Sequence, residues 1–189
     1  MTTRELREAE RAKYELAYVH PNYRMREGRQ DASKADLRGV AAHGYYYLDV
    51  SCGRGEMLDY AESLDFACVQ GTEIVPALID PYKGVCRAYA HDLPFCDGSF
   101  HVVSMFDVIE HLIPGDDEAA CRELRRVASK HILITASNKA SVHNGHDLHI
   151  NKRPYDEWER LFKQWFQPFA HITRMPPRKG ASEHWRIDL

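Results

Sequence analysis

The chain has no C-x-x-C pair, no apolar leader and no uninterrupted hydrophobic run of membrane-spanning length. Each absence removes a class of protein. The five cysteines (Cys52, Cys68, Cys86, Cys96 and Cys121) are scattered, so they indicate neither a zinc knuckle nor a disulfide framework, and a reducing cytoplasmic location is expected. The first residues, MTTRELREAERAKYEL, are charged throughout, whereas a secretion signal needs an apolar core. With no stretch near the ~20 apolar residues of a spanning helix, a soluble, unprocessed chain with no membrane partner is expected. A basic excess is also lacking. Lys and Arg number 25 against 28 Asp and Glu, a net charge of −3, so a nucleic acid would have to be held by a local patch. Internal repeats and low-complexity segments are absent. What remains is ordinary globular material: 44% hydrophobic, 11% aromatic and 28% charged residues over 189 positions, enough for one domain that folds without covalent staples.

Apolar runs alternate with helical or loop segments. Tyr45–Val50, Ala67–Ile74, Val85–Tyr89, Phe100–Phe106 and His131–Thr135 read as strands. Such alternation predicts a parallel sheet with helices on both faces. Asp116, Asp117 and Glu118 open a segment that closes with Arg122, Arg125 and Arg126, the charge order that a helix dipole favours. Pro154–Phe166 starts on a proline and repeats aromatic and leucine positions at three- and four-residue spacing, which predicts a second helix. Phe169–Met175 and His184–Leu189 flank a turn-rich segment and read as a closing hairpin. Before the first strand, Thr3–Val19 reads as a charged helix and Tyr23–Gly44 as a polar, basic arm. Residues 1–44 are expected to belong to the same domain as 45–189.

The most informative run is Tyr47-Leu48-Asp49-Val50-Ser51-Cys52-Gly53-Arg54-Gly55-Glu56-Met57-Leu58. An apolar strand ends in an acid, passes two glycines and enters a helix. Glycines there let backbone amides approach a ligand where no side chain can intrude. The next strand ends in Gly71-Thr72-Glu73-Ile74, which puts a carboxylate where it can accept hydrogen bonds from ribose hydroxyls. A dinucleotide loop calls for a third glycine near Glu56 or Met57, and none is present. NAD is therefore disfavoured.

At Asp49, Gly53 and Gly55 the chain resembles the class I S-adenosylmethionine-dependent methyltransferase superfamily, whose first motif reads D-x-G-x-G-x-G. Ser51 replaces the first glycine. The resemblance continues through Ala90-His91-Asp92-Leu93-Pro94-Phe95 and through Phe106-Asp107-Val108-Ile109-Glu110-His111-Leu112. Each part alone has an ordinary explanation as a turn or as packing, but four parts in register do not. The resemblance implies a Rossmann-like, mostly parallel seven-stranded α/β sheet with an antiparallel last strand. It implies S-adenosyl-L-methionine as cofactor, with Asp49, Ser51, Cys52 and Gly53 beside the methionyl half, Glu73 and Ile74 at the ribose, Asp92 and Leu93 at the adenine, and Phe106 and Asp107 at the methyl group. As in related enzymes, Tyr14, Tyr18, Tyr23 and Arg24 of the N-terminal arm are expected to lid the methionyl carboxylate.

Methyl transfer from a sulfonium needs alignment and exclusion of water, and a base where the acceptor carries a proton. His111, Glu110 and His149 are the expected catalytic residues, with His111 as the base. Asp107-x-x-Glu110-His111 puts three metal-ligand types at the start of one helix, with His149 as a distal fourth. The pattern is similar to that of metal-dependent 2′-O-methyltransferases acting on RNA 3′ ends. Aspartate replaces their first glutamate and D-V-x-E-H recurs in metal-free relatives, so no metal is expected. The acceptor is expected to be a small molecule offering an O or N nucleophile, with Ser137–Arg153 shaping its pocket. Two alternatives stand beside this reading. In one, the basic arm Arg24, Arg26, Arg29, Lys34 and Arg38 holds RNA or DNA; in the other, the chain is a non-catalytic, cofactor-binding regulatory module.

Overall fold

A computed structural model describes residues 2–20, 23, 27–143, 145–168, 170–178 and 182–189. Its frame is a seven-stranded sheet of β1 (Tyr46–Val50), β2 (Cys68–Glu73), β3 (Val85–Arg87), β4 (Phe100–Met105), β5 (Ala128–Ala136), β8 (His171–Arg174) and β9 (Glu183–Asp188). The order across the sheet is β3-β2-β1-β4-β5-β9-β8. The first five pair in parallel, while β9 runs antiparallel to both β5 and β8. The last strand in the chain is thus the antiparallel one, and it sits one place in from the edge.

Alternate residues of each central strand face opposite sides. Leu48, Val103, Ile132 and Ile134 join one core, which includes Leu124 and Val127 of α4 (Asp116–Val127) and Trp158, Leu161 and Phe162 of α5 (Tyr155–Trp165). Tyr47, Val102 and Leu133 join the other, with Leu37 of α2 (Glu27–Arg38) and Met57, Leu58 and Ala61 of α3 (Glu56–Glu62). Helices therefore cover both faces, and α1 (Thr3–Val19) completes the set of five. The carboxyl ends of β1, β2 and β4 are adjacent, because β1 lies between β2 and β4 with Asp49 level with Gly71 and Ser104. In an open α/β sheet this is where ligands bind.

The structure corrects three expectations. The arm before the first strand is largely a helix, α2; its sequence is polar, but Ala32, Ser33, Asp36 and Leu37 are buried, so tertiary packing decides where propensity does not. β5 starts at Ala128, three residues earlier than the apolar pattern shows, because the exposed Ser129 and Lys130 hide the strand. Asp107, Glu110 and His111 do not open one helix. Ile109–His111 form a single 3-10 turn, and α4 begins only at Asp116. Between β5 and α5 a two-stranded ribbon, β6 (Val142–His143) and β7 (His146–Asp147), projects over the site.

Candidate active site

The glycine loop starts from a strained turn. Ser51 has φ 60° and Gly53 φ 57°, in the left-handed region that costs an L-residue ~1–2 kcal/mol. Ser51 stands where the superfamily motif has its first glycine, and its backbone angle shows why glycine is common there. The loop is tied to β2: the Cys52 amide donates to the Thr72 carbonyl at 2.9 Å and the Gly53 amide to Glu73 Oε2 at 2.9 Å. At Gly71 a Cβ would lie 2.8 Å from both Cys52 Sγ and Leu58 Cδ1, so only glycine lets α3 and the loop sit this close to β2.

Glu73 is buried, and its Oε1 also accepts from the Ile74 and Val75 amides at 2.7 and 3.0 Å. Burial pushes its pKa up, while the three amides pull it down. A carboxylate offers about four acceptor directions. Three are filled, which leaves a lone pair of Oε2 for a further donor. Asp49 is fully enclosed behind the loop. It accepts from Ser104 Oγ at 2.6 Å, and burial raises its pKa to about 7.

Two adjoining cavities open over these strand ends. The smaller, about 120 Å³, is lined by Glu73, Ile74, Tyr89, Ala90 and His91, with Arg7, Glu10 and Tyr14 of α1 above. The larger, about 390 Å³, runs from Ser51, Cys52 and Gly53 past Phe106 and Asp107 to Lys139–His143 and His149. Ser51, Tyr18, Tyr23, Asp107 and His111 border both.

Helix α1 roofs the cavities and is held at both ends. Arg7 makes a two-pronged bond to Asp116 at 2.7 and 2.5 Å. Arg54 of the glycine loop donates to the carbonyls of Tyr18, His20 and Tyr23 at 2.9, 3.3 and 3.4 Å. Tyr18 Oη lies 2.7 Å from where a Cβ on Gly53 would stand, so the ring covers the loop. Burial raises the pKa of Tyr14, Tyr18 and Tyr23, the last to about 12; all three hydroxyls stay protonated at neutral pH.

Asp107 is the second strained non-glycine residue, at φ 53°. Its carboxylate accepts from Ser182 Oγ at 2.6 Å, Thr135 Oγ1 at 3.2 Å and Arg29 at 3.1 Å. The turn behind it carries Glu110, entirely buried, and His111. Desolvation drives the Glu110 pKa well up, and that of His111 down to about 4. His149 packs edge-on against His111, with ring centres 4.6 Å apart.

Most of the residues read from sequence therefore meet in one place. Asp92 and Leu93 do not line either cavity, nor do the enclosed Asp49 and Glu110. Asp92 is exposed, and Leu93 is buried with its amide donating to Glu123 at 2.8 Å. The Tyr89–Asp92 bridge turns the chain so that Tyr89, Ala90 and His91 face inward instead. Gly55 is the N-cap of α3 rather than part of the cavity lining. Arg24 lies outside the described residues. The sequence reading missed Arg7, Glu10, Tyr89 and His91; for the first two the only signal was their place on the helix that carries Tyr14 and Tyr18.

A glycine loop faces the buried carboxylate of Glu73 at the carboxyl ends of the central strands, where open α/β sheets bind their ligands. Comparison narrows the class. Residues 48–133 match the model of the family described as "Methyltransferase domain", and over that segment the chain is similar to the class I S-adenosylmethionine-dependent methyltransferases. S-adenosylmethionine is the cofactor of that class. Among curated proteins none matches the sequence significantly. The fold is similar to that of the 1,6-didemethyltoxoflavin-N1-methyltransferase of Burkholderia thailandensis, solved with 1,6-didemethyltoxoflavin and S-adenosylhomocysteine (TM-score 0.74, 15% identity, 100% of this chain and 89% of that one). It is also similar to the PH0226 protein of Pyrococcus horikoshii OT3 (0.66, 19%, 92% and 97%) and to the magnesium protoporphyrin IX methyltransferase of Synechocystis PCC 6803 with bound SAM (0.59, 15%, 84% and 76%). At these identities the likeness is one of fold. Among the described residues no helix is long and apolar enough to cross a membrane.

Proposed function

We propose that the protein transfers the methyl group of S-adenosylmethionine to an O or N nucleophile of a small molecule, in the cytoplasm, as a single domain that includes residues 1–44. The carrying observation is the larger cavity: it continues from the glycine loop, has the size of a small-ligand site, and is enclosed by Tyr18, Tyr23 and the Lys139–His143 segment. The Burkholderia thailandensis neighbour, whose match spans this whole chain, is a 1,6-didemethyltoxoflavin-N1-methyltransferase, and that supports the same acceptor class. Arg24 and Arg26 lie outside the described residues, and the described part of the basic arm gives no comparable support to a nucleic acid. Arg29 is engaged with Asp107, and Arg38 with Tyr60 at 2.8 Å.

When bound, the cofactor supplies a methyl group on a sulfonium, and the sulfur leaves as a neutral thioether. The chain's own residues then align and dehydrate. Glu73 and Ile74 hold the ribose, Tyr89–His91 border the adenine, and Asp49, Ser51, Cys52 and Gly53, with Tyr18 and Tyr23 above, position the methionyl half. Phe106 and Asp107 flank the methyl group, and His111, Glu110 and His149 act on the acceptor. Roofing by α1 keeps water out of the line of attack. The test is incubation with methyl-labelled cofactor and separated pools of small molecules, protein and RNA. Label in the small-molecule pool is expected. Label confined to RNA or protein contradicts the acceptor class, and tight cofactor binding with label in no pool points to a regulatory module.

A further inference from the structure

Glu110 and His111 come from the turn after β4, and His149 from the segment after β7, yet one ligand atom of each lies within 4.8 Å of the others. The histidines are held in a particular way. His149 Nδ1 donates to the Lys139 carbonyl at 2.6 Å; a carbonyl only accepts, so the proton is on Nδ1 and Nε2 presents a lone pair. His111 Nδ1 meets the Leu148 carbonyl at 2.9 Å and the Tyr14 hydroxyl at 2.6 Å, which likewise leaves Nε2 free. Between them lies a carboxylate with no surface exposure. Glu110 Oε1 accepts from the Ser137 amide at 3.1 Å and is 4.0 Å from His149 Nε2, too far for a hydrogen bond. Glu110 Oε2 is buried and has no hydrogen-bond partner among the described residues. Buried polar atoms are rarely left so, and imidazoles pinned at one nitrogen by backbone carbonyls are the arrangement that orients metal ligands.

We infer that Glu110, His111 Nε2 and His149 Nε2 form a three-ligand site for a divalent first-row transition ion, with open positions toward the larger cavity. Bonds of about 2.0–2.2 Å require the three atoms, now within 4.8 Å of one another, to close by roughly an ångström. Two imidazoles with one carboxylate favour ions of the manganese-to-zinc series over magnesium or calcium, which prefer oxygen. Asp107 is outside the set, because Ser182, Thr135 and Arg29 occupy its carboxylate. Both histidines are then ligands and not bases. This inference rests on the proposed function only for the location of the acceptor.

The test uses tag-free full-length protein, dialysed against chelator and titrated with Co²⁺ while its visible absorption is followed; metal content after zinc reloading is measured by mass spectrometry. One equivalent is expected, with cobalt d–d bands, and S-adenosylhomocysteine affinity unchanged by the ion. His149→Ala and Glu110→Gln should each weaken cobalt binding by at least about tenfold, while Asp107→Asn should retain it. A protein that binds S-adenosylhomocysteine but takes up no cobalt, or takes it up equally in His149→Ala, overturns the metal site and leaves the methyltransferase reading standing. Failure to bind S-adenosylhomocysteine, with or without cobalt, is instead a failure of that reading.

Discussion

Replacing Glu73 separates cofactor recognition from loop architecture. Its carboxylate takes three backbone amides, those of Ile74, Val75 and Gly53, and is 3% exposed. Glu73→Ala leaves all three donors unpaired at about 1–3 kcal/mol each unless water enters, so it reports stability as much as binding. Glu73→Gln is the sharper variant. Its amide oxygen can still accept from Ile74 and Val75, but its NH₂ meets the Gly53 amide donor to donor, and the charge offered to the ribose is gone. A charge-assisted hydrogen bond contributes about 1.5–3 kcal/mol, which corresponds to roughly a 10- to 150-fold rise in Kd. Titration calorimetry with S-adenosylhomocysteine reads that change, and a thermal melt of the free variant shows whether the loop has survived. A folded Glu73→Gln protein that binds S-adenosylhomocysteine within about twofold of the parent would refute the assignment of Glu73 to the ribose.

Gly53→Val forces a β-branched residue to φ 57° and aims its Cβ at Tyr18 Oη. We expect a loss of about 1–2 kcal/mol in stability and no detectable cofactor binding, checked by a melt and the same titration; normal binding would show that the loop is not the cofactor loop. Arg54→Ala removes two bonds to the end of α1 and one to Tyr23 beyond it, so amide exchange of residues 16–20 should quicken and S-adenosylhomocysteine affinity fall by about 0.5–1.5 kcal/mol; unchanged exchange would mean that the guanidinium does not hold the roof. Asp36 accepts from Arg178 and from His184 Nδ1, both at 2.6 Å, and these partners hold its pKa below the ordinary value despite burial. A depressed carboxylate stabilises the fold above its unfolded pKa of about 3.9 and loses that contribution as pH falls through the lower folded value. Asp36→Ala should cost about 2–3 kcal/mol at pH 7, less than a fully buried pair because Arg178 is 30% exposed, and should flatten the acid limb of a melting-temperature profile; an unchanged acid limb would contradict it.

Much of the frame could be read from the sequence, because strands buried on both faces leave continuous apolar runs, and because an acid at the end of the second strand, Glu73, 20 positions after Gly53, follows from one βαβ unit. The N-terminal half of the site was harder. Residues Glu27–Arg38 are polar and carry Gly28, so neither periodicity nor composition marks a helix; the buried Asp36–His184–Arg178 contacts that dock it join distant parts of the chain. Asp92 was read at the adenine because acids often stand in that loop, whereas the Tyr89–Asp92 bridge turns its side chain outward. The convergence of His149 on Glu110 depends on how the chain returns through the β6–β7 ribbon, a path that short two-residue strands do not announce. Local pattern fixes elements well, while contacts between distant segments need the fold.

We propose that the cavities over Ser51–Gly53 and Glu73 take an adenosyl sulfonium cofactor and not a dinucleotide. Parallel calorimetric titrations of the unmodified protein with S-adenosylmethionine, S-adenosylhomocysteine and NAD test it most directly. One-to-one binding of both adenosyl ligands with no heat from NAD is predicted. NAD binding with no heat from either adenosyl ligand would contradict the claim.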